Sequence, residues 1–116
     1  MIKGKIVLVP FPFDDLSTHK VRPSVCLTNS IGPHDHVILA FISSRIPQDL
    51  LPTDIVLDSG QPEFAATGLH VTSTLRLHRL MTASSSLFKR ELGMLPSAIQ
   101  TEILRKLSLL FELETT

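Results

Sequence analysis

The sequence contains no tryptophan or tyrosine, a single cysteine and no net charge. One cysteine excludes an internal disulfide framework, and because Cys26 stands within an apolar run we expect a small buried thiol. Basic and acidic residues number 11 each, so the whole chain has no strong attraction for a polyanion. Any nucleic-acid site must therefore be local. No apolar run approaches the roughly 20 residues that cross a bilayer, which argues against a membrane protein.

The length of 116 residues supplies one hydrophobic core, so we expect a single domain over residues 1–116. Hydrophobic residues make up 43% of the chain, which is high for this length and predicts some apolar surface for a partner. The first residues lack the length and the cleavage-site pattern of a secretory signal. We therefore expect a cytoplasmic protein.

Short apolar segments between turn-forming residues predict a mainly β protein, with strands at Lys5 to Phe11, Val21 to Asn29, His36 to Ser43 and Thr53 to Asp58. The segment at residues 37–42 is apolar on both alternating faces, which predicts a central strand. A further strand pair should follow the turn at residues 60–62 and Gly68. Its first strand has Leu75 and Leu77 facing the core, with the intervening Thr74, Arg76 and His78 in water.

The end of the chain has helical periodicity. Apolar residues recur at positions 99, 103, 107 and 110, and Ser97 with Gln100 fits a capping box just after Pro96. We predict a C-terminal amphipathic helix that packs on the strands. Its apolar face is wide, which also predicts contact with a second subunit.

Three segments, in this order, are typical of a known family. They are GKIVLVPFPF at residues 4–13, KVRP at 20–23 and AFISSR at 40–45, followed by residues 68–80 and 91–95 before the last helix. Over nearly the whole chain, the order and spacing resemble the MazF/PemK-like toxins of bacterial toxin–antitoxin pairs. The resemblance implies a small SH3-like barrel of twisted antiparallel strands with a C-terminal α-helix, and a homodimer.

The resemblance also implies an activity: sequence-specific, metal-independent cleavage of single-stranded RNA, without a cofactor, and inhibition by a cognate antitoxin. The family's catalytic arginine falls on Arg22 and its catalytic threonine on Ser43. Serine keeps the hydroxyl but lacks the β-branch that restricts χ1, so its oxygen is less firmly aimed. The expected products are a 2′,3′-cyclic phosphate and a 5′-hydroxyl end.

The residues themselves support part of this chemistry. Arg22 precedes Pro23, which favours an extended backbone, and its guanidinium can donate to two phosphoryl oxygens at once. An arginine stays protonated in proteins, so we expect Arg22 to act as a stabiliser and acid and not as the general base. His19 titrates near neutrality and is a candidate base or acid, with a solvated loop histidine as the alternative.

Other polar residues are candidates for RNA contact. Lys20 and Ser44 neighbour the two catalytic candidates, and Arg45 is expected either to bind phosphate or to pair with an acid. Further contacts are predicted from the loop between Phe13 and Val21, and from Arg76 and Arg79. The expected antitoxin is an extended segment that lies along the dimer groove and displaces this loop, with its acids meeting Arg22.

Two polar clusters are not predicted to carry chemistry. His34-Asp35-His36 supplies too few ligands for a metal site and is interpreted as a polar turn, and Ser84-Ser85-Ser86 as a capping or turn run. Two rival functions remain open at this point. One is a non-catalytic CcdB-like barrel that poisons a protein target, and the other is a degenerate relative that only binds its partner.

Overall fold

The structure, a computed structural model, describes residues 1–12 and 19–113, and the side chains of residues 1–10 and 20–113. The strands are β1 (Lys5–Pro12), β2 (His19–Cys26), β3 (His36–Ser43), β4 (Asp54–Leu57), β5 (Ser73–Ser84) and β6 (Arg90–Met94). The helix α1 follows at Ser97–Leu110, and 3-10 segments lie at Pro62–Thr67 and Ser85–Leu87. None of the helices in this description is long and apolar enough to span a membrane.

The strands form one antiparallel sheet in the order β4-β5-β3-β2-β1-β6. The predicted mainly β fold with a C-terminal helix is confirmed, and so is the central position of β3, which lies between β5 and β2 and has the predicted bounds. The predicted strand pair after Gly68 is wrong. β5 instead pairs with β3 and β4, while β6 pairs with β1 at the other end of the sheet.

Each face of the sheet carries its own apolar cluster. The larger cluster, under α1, includes Val25, Ala40, Leu75 and Leu77, with Ile103 from the helix. The smaller cluster, on the opposite face, consists of Val7, Val9, Cys26, Val37, Leu39 and Ala83. Strand alternation places neighbouring residues on these two faces in turn. The chain therefore covers β3 on both sides, as its unbroken apolar pattern predicts.

Cys26 lies in the smaller cluster, and the prediction of a buried thiol is confirmed. Burial raises the pKa of the Cys26 thiol to about 11, with smaller and opposing effects of Lys5 and Glu91. The thiolate is the nucleophilic form of cysteine, so this side chain is inert near neutral pH.

The helix α1 begins where the sequence predicts, but the predicted capping box is wrong. Pro96 is the cap residue, with φ −58° and ψ 150°, and Ser97 is already the first helical residue. The amide groups of Ile99 and Gln100 bond to the Pro96 carbonyl, and Gln100 Nε2 donates to the Leu95 carbonyl at 2.9 Å. Gln100 thus ties the helix to the preceding strand instead of closing a reciprocal cap.

Strand β5 follows the predicted alternation of buried and exposed side chains only in part. Leu75 and Leu77 are fully buried, as predicted. Thr74 is also fully buried, so its predicted exposure is wrong. Its hydroxyl donates to the Arg45 carbonyl at 2.8 Å, which satisfies the polar group away from water. β5 therefore uses its second face for contacts within the protein.

Gly93 in β6 provides a stability prediction. A Cβ there would lie 2.2 Å from the Ala66 carbonyl oxygen, so no side chain fits between β6 and the neighbouring 3-10 segment. We expect Gly93→Ala to lower the free energy of unfolding by roughly 3 kcal/mol, because backbone must move to relieve the overlap. Urea denaturation measures it. Gly60→Ala is the matched control, since a Cβ there meets only the flexible Asp58 side chain. Equal losses in the two variants would contradict the steric explanation.

Candidate active site

The register of β2 and β3 brings Arg22 and Ser43 to one face of the sheet. The recorded pairs are Ser24 with Phe41, Val25 with Ala40, and Cys26 with Leu39. Continuing this antiparallel register by two residues beyond the first pair matches Arg22 with Ser43. Val25 and Ala40 belong to the cluster under α1. By alternation, Arg22 and Ser43 face the other side, which we call the site face.

Pro23 marks the point where the two strands separate. The β2–β3 ladder begins only at Ser24, the residue after the proline. A proline has no amide hydrogen to donate, so it interrupts a ladder that would otherwise continue. On its other side β2 stays paired with β1, through Arg22 with Val9 and Pro23 with Leu8. Arg22 is therefore half-buried at a point where β2 is paired with β1 but no longer with β3.

Ser43 and its neighbours form the end of β3. The Ser43 hydroxyl oxygen accepts from the Arg45 amide at 3.3 Å, so the residue also stabilises a turn. A hydroxyl that accepts one bond keeps its hydrogen to donate to another group, such as a phosphoryl oxygen. Ser44 and Arg45 are exposed at this turn. None of the ion pairs between described residues includes Arg45, so the phosphate-binding interpretation of that side chain stays a prediction.

Arg76 does not point freely outward, and that prediction is wrong. It stands opposite Asp54 of β4, and its Nε donates to Asp54 Oδ1 at 3.1 Å. The Asp54 side chain is 1% exposed and that of Arg76 20%. Asp54 also accepts from the Leu51 amide at 2.8 Å through its other carboxylate oxygen, and Lys106 Nζ of α1 donates to its backbone carbonyl at 2.7 Å. Arg76 is thus built into a buried ion pair, and RNA contact by its remaining donors stays a prediction.

Arg79 lies over Phe41, with the guanidinium carbon 5.0 Å from the ring centroid. Phe41 is the partner of Ser24 in the ladder, so the ring belongs to the site face. A guanidinium at this distance is attracted by the face of an aromatic ring. The contact holds a positive charge beside the Arg22–Ser43 row. The sequence indicated Arg79 as an RNA contact but not the ring that supports it.

Ser24 is a second feature that the sequence did not indicate. It is fully buried, two residues after Arg22, and its hydroxyl has no hydrogen-bond partner among the residues that the structure describes. A buried hydroxyl without a partner costs about 1–3 kcal/mol.

We expect Ser24→Ala to raise the free energy of unfolding by about 1 kcal/mol, because it removes this cost without creating a cavity. Thermal or urea unfolding measures the change. Ser73→Ala is the matched control and should destabilise, since the equally buried Ser73 hydroxyl donates to the Val71 carbonyl at 2.8 Å. A loss of stability in Ser24→Ala would show that the hydroxyl has a partner in solution.

Two predicted groups are described only in part. Lys20 is exposed and paired with Phe11 of β1, at the open end of the site face. The side chain of His19, and the whole of residues 13–18, lie outside the described residues. The loop predicted to contact RNA and antitoxin falls mostly in this segment, so its role stays a prediction.

A further histidine, His78, lies in β5 between Arg76 and Arg79 in the sequence. It follows Arg76 by two residues and is exposed, in a part of β5 that carries extra residues relative to β3. Burial, and then the positive charge of Arg76, lower the pKa of His78 below its ordinary value of 6.5, with Arg79 acting in the same direction and Asp54 opposing. The sequence predicted only that His78 faces water.

The two other polar clusters lie at turns. His34 and His36 flank the turn before β3, with ring centroids 5.9 Å apart, as the interpretation as a polar turn predicts. Within residues 1–12 and 19–113, no group of three or more histidine, cysteine or acidic side chains is placed to hold a metal ion. Ser84 accepts from the Ser86 amide at the start of a 3-10 segment, which confirms the predicted capping run.

A cavity of about 410 Å³ lies on the α1 side, between β4, the first 3-10 segment and the start of the helix. It is lined mainly by apolar atoms and includes Phe64, Thr67 and Ile99. None of the residues of the site face lines it. The candidate site is therefore separate from this cavity.

Comparisons with known proteins agree with this architecture. Residues 2–111 match the family described as PemK-like, MazF-like toxin of type II toxin–antitoxin system. The fold is similar to the Mycobacterium tuberculosis toxin MazF-mt6, with a TM-score of 0.69 and 22% identity over 94% of this chain and 99% of that one. It is also similar to a mycobacterial endoribonuclease solved with its cognate antitoxin, with a TM-score of 0.70 and 14% identity over 100% and 99%.

A third similar structure is MazE-MazF from Deinococcus radiodurans, with a TM-score of 0.70 and 16% identity over 98% of this chain and 97% of that one. A search of curated proteins finds no match. At these identities the solved structures show the fold, whereas the family match covers nearly the whole sequence. The chain belongs to the PemK-like, MazF-like toxins of type II toxin–antitoxin systems.

Proposed function

We propose that this protein is a sequence-specific, metal-independent endoribonuclease that cleaves single-stranded RNA. Its substrate would be mRNA in the cytoplasm, and a cognate antitoxin would inhibit it. The observation that carries the proposal is the β2–β3 register, whose continuation beyond the Ser24–Phe41 pair brings Arg22 and Ser43 to one face where the two strands separate. A guanidinium and a hydroxyl on one face of the sheet can both donate hydrogen bonds to the oxygens of a phosphodiester. The family and the endoribonucleases among its structural neighbours support this activity.

The proposed chemistry is an internal transfer. The 2′-oxygen attacks the adjacent phosphorus, the bond to the 5′-oxygen breaks, and the products are a 2′,3′-cyclic phosphate and a 5′-hydroxyl end. Negative charge develops on the phosphoryl oxygens. Arg22 binds two of these oxygens through its planar guanidinium, and Ser43 donates its hydroxyl hydrogen to one. Donors fixed before the reaction stabilise this charge without reorganising during it.

Positive groups around this pair would hold the RNA backbone. Lys20 and Arg45 are exposed on either side, and Arg79 is held on Phe41. The chain has no net charge, so binding depends on this local concentration of cations and should weaken as salt is added. Ring stacking is a smaller contribution, since the chain has no tryptophan or tyrosine and Phe41 is 7% exposed.

The proposal extends to two protein partners. Exposed apolar side chains on and after the last turns of α1, at Leu104, Leu109, Phe111 and Leu113, support a homodimer. The antitoxin would lie across the site face as an extended segment whose acidic side chains meet Arg22. Two of the structural neighbours are complexes of a toxin with an antitoxin. Mixing this protein with the product of a neighbouring gene, and finding no complex at micromolar concentration, would contradict the antitoxin proposal.

One assay separates the nuclease from its rivals. Purified protein is incubated with a long unstructured RNA in the presence of a chelator, and fragment ends are identified. Discrete fragments with 5′-hydroxyl ends support the proposal. Intact RNA would favour a CcdB-like barrel that poisons a protein target. Intact RNA with the parent but cleavage by Ser43→Thr would instead identify a degenerate relative, since threonine restricts the hydroxyl more firmly.

A further inference from the structure

The proposed reaction needs a group that removes the proton of the 2′-hydroxyl. Arg22 stays protonated and Ser43 is a weak base, so neither supplies it. Among the carboxylates that the structure describes, the one paired with Arg76 is also a poor candidate. Asp54, which faces Arg76 on the neighbouring strand, is 1% exposed and already bonded to Arg76 and Leu51. A neutral imidazole close to the site face is the group that ordinary acid–base chemistry would select.

A register shift between β3 and β5 lies beside one histidine that could act as this base. Ala40 and Phe41 are neighbours in β3, yet their partners in β5 are Leu80 and Arg76, so three residues of β5 bulge out between them. Bulges of this kind re-aim side chains and are common next to active sites. Within this bulge Leu77 turns into the core under α1, and Arg79 reaches back over the Phe41 ring on the site face. His78 stands between them in the sequence and is exposed.

The other described histidines are placed elsewhere. His36 is at the far end of β3 from Ser43, and His34 lies in the turn before it. His70 is in the loop that precedes β5, beside Leu69, which packs on the α1-side core. Of the histidine side chains that the structure describes, His78 is the one flanked by both Arg76 and Arg79.

We propose that His78 is the general base of this site: its neutral imidazole accepts the 2′-hydroxyl proton as the 2′-oxygen binds phosphorus. The bond from phosphorus to the 5′-oxygen breaks, that oxygen takes a proton from solvent, and the imidazolium later returns its proton to solvent. This assignment rests on the proposed endoribonuclease activity. In this assignment Arg22 binds the phosphoryl oxygens and His78 transfers the proton.

The charges around His78 favour this role. Burial is the largest effect that disfavours the imidazolium; Arg76 and Arg79 on its own strand disfavour a further positive charge, Asp54 on β4 opposes them, and Ala40 and Phe41 on β3 carry no charge. The pKa of His78 is lowered from 6.5, so the imidazole is neutral, and able to accept a proton, at physiological pH. The cleavage rate of the parent should therefore rise with pH through a pKa below 6.5 and then level off above it.

The test compares His78→Gln with His70→Gln and His19→Gln, on long RNA with chelator, across pH 5–9. We expect His78→Gln to lower kcat/KM by roughly a hundredfold to ten-thousandfold and to lose the acid-side fall in rate. His70→Gln should keep the parental rate and profile. Added imidazole should restore part of the cleavage in His78→Gly, which a merely structural role would not allow. Unchanged melting of His78→Gln establishes that it folds.

Two outcomes overturn the inference while leaving the nuclease intact. One is parental cleavage by His78→Gln, and the other is loss of the acid limb in His19→Gln alone. A binding measurement covers the case in which the parent protein does not cleave RNA. The imidazole NMR signal of His78, identified by its loss in His78→Gln, should move when a DNA oligonucleotide without the attacking hydroxyl is added. If the parent makes no cuts although this signal moves, the nuclease proposal fails and the base assignment with it.

Discussion

Arg22→Ala is expected to lower the rate of RNA cleavage by about a hundredfold to a thousandfold, because it deletes a preorganised donor to the charged transition state. The fold should survive the change, since Arg22 is half-buried and the backbone pairing of β2 with β1 does not depend on its side chain. The measurement is kcat/KM on a long unstructured RNA with chelator present, with 5′-hydroxyl ends counted. Thermal melting checks that the variant is folded.

Arg22→Lys separates charge from geometry. Lysine keeps the positive charge but cannot bind two phosphoryl oxygens in one plane, so we expect a loss nearly as large as that of alanine. Arg90→Ala is a matched control, because Arg90 is an exposed arginine of β6 outside the site face and should have little effect. Cleavage by Arg22→Ala at the parental rate would show that the site assignment is wrong, even if the protein is a nuclease.

Arg76→Ala is expected to lower the free energy of unfolding by about 3 kcal/mol, because it leaves the Asp54 carboxylate buried without its partner. Urea denaturation measures the change. Asp54 remains bonded to the Leu51 amide, which compensates only in part. The double variant Asp54→Asn, Arg76→Gln should be more stable than Arg76→Ala alone, since it contains no uncompensated charge.

Lys5→Ala is the control for this ion pair. Lys5 bonds to Glu91 at 2.9 Å, but the two side chains are 28% and 56% exposed, so water screens the pair. We expect its loss to cost no more than about 1 kcal/mol. If Arg76→Ala unfolds at the parental urea concentration and only binds RNA more weakly, then Arg76 belongs to the RNA surface and its pairing with Asp54 is incidental.

Local patterns in the sequence were sufficient for most elements. The unbroken apolar run of β3 predicted a strand covered on both faces, and the helical spacing from residue 99 predicted α1, because both signals are repeated over many residues. The capping box required Ser97 to be the cap residue, and a shift of one position to Pro96 invalidated it. The strands that pair with β5 could not be predicted from local patterns, because strand pairing is decided by contacts between segments distant in the chain.

The site was predictable where the family segments mark it and not where tertiary contacts define it. Arg22 and Ser43 follow from the segments around residues 20–23 and 40–45, and the register then brings them together. The buried Asp54 partner of Arg76 and the unsatisfied Ser24 hydroxyl have no local signature. His78 depends on a register shift between β3 and β5, which a single sequence does not encode in any short pattern.

The two edge strands of the sheet are its shortest, with four residues in β4 and five in β6. An exposed edge strand has unpaired amide and carbonyl groups that can pair with a strand of another chain and so start aggregation. Here the edge strand β4 is short and its Asp54 carbonyl accepts a hydrogen bond from Lys106, while the β1–β6 register shifts between Ile6 and Val7. These features disfavour uncontrolled polymerisation by strand addition. A chain that docks on this toxin therefore gains more binding energy from the broad surface around Arg22 than from either edge strand.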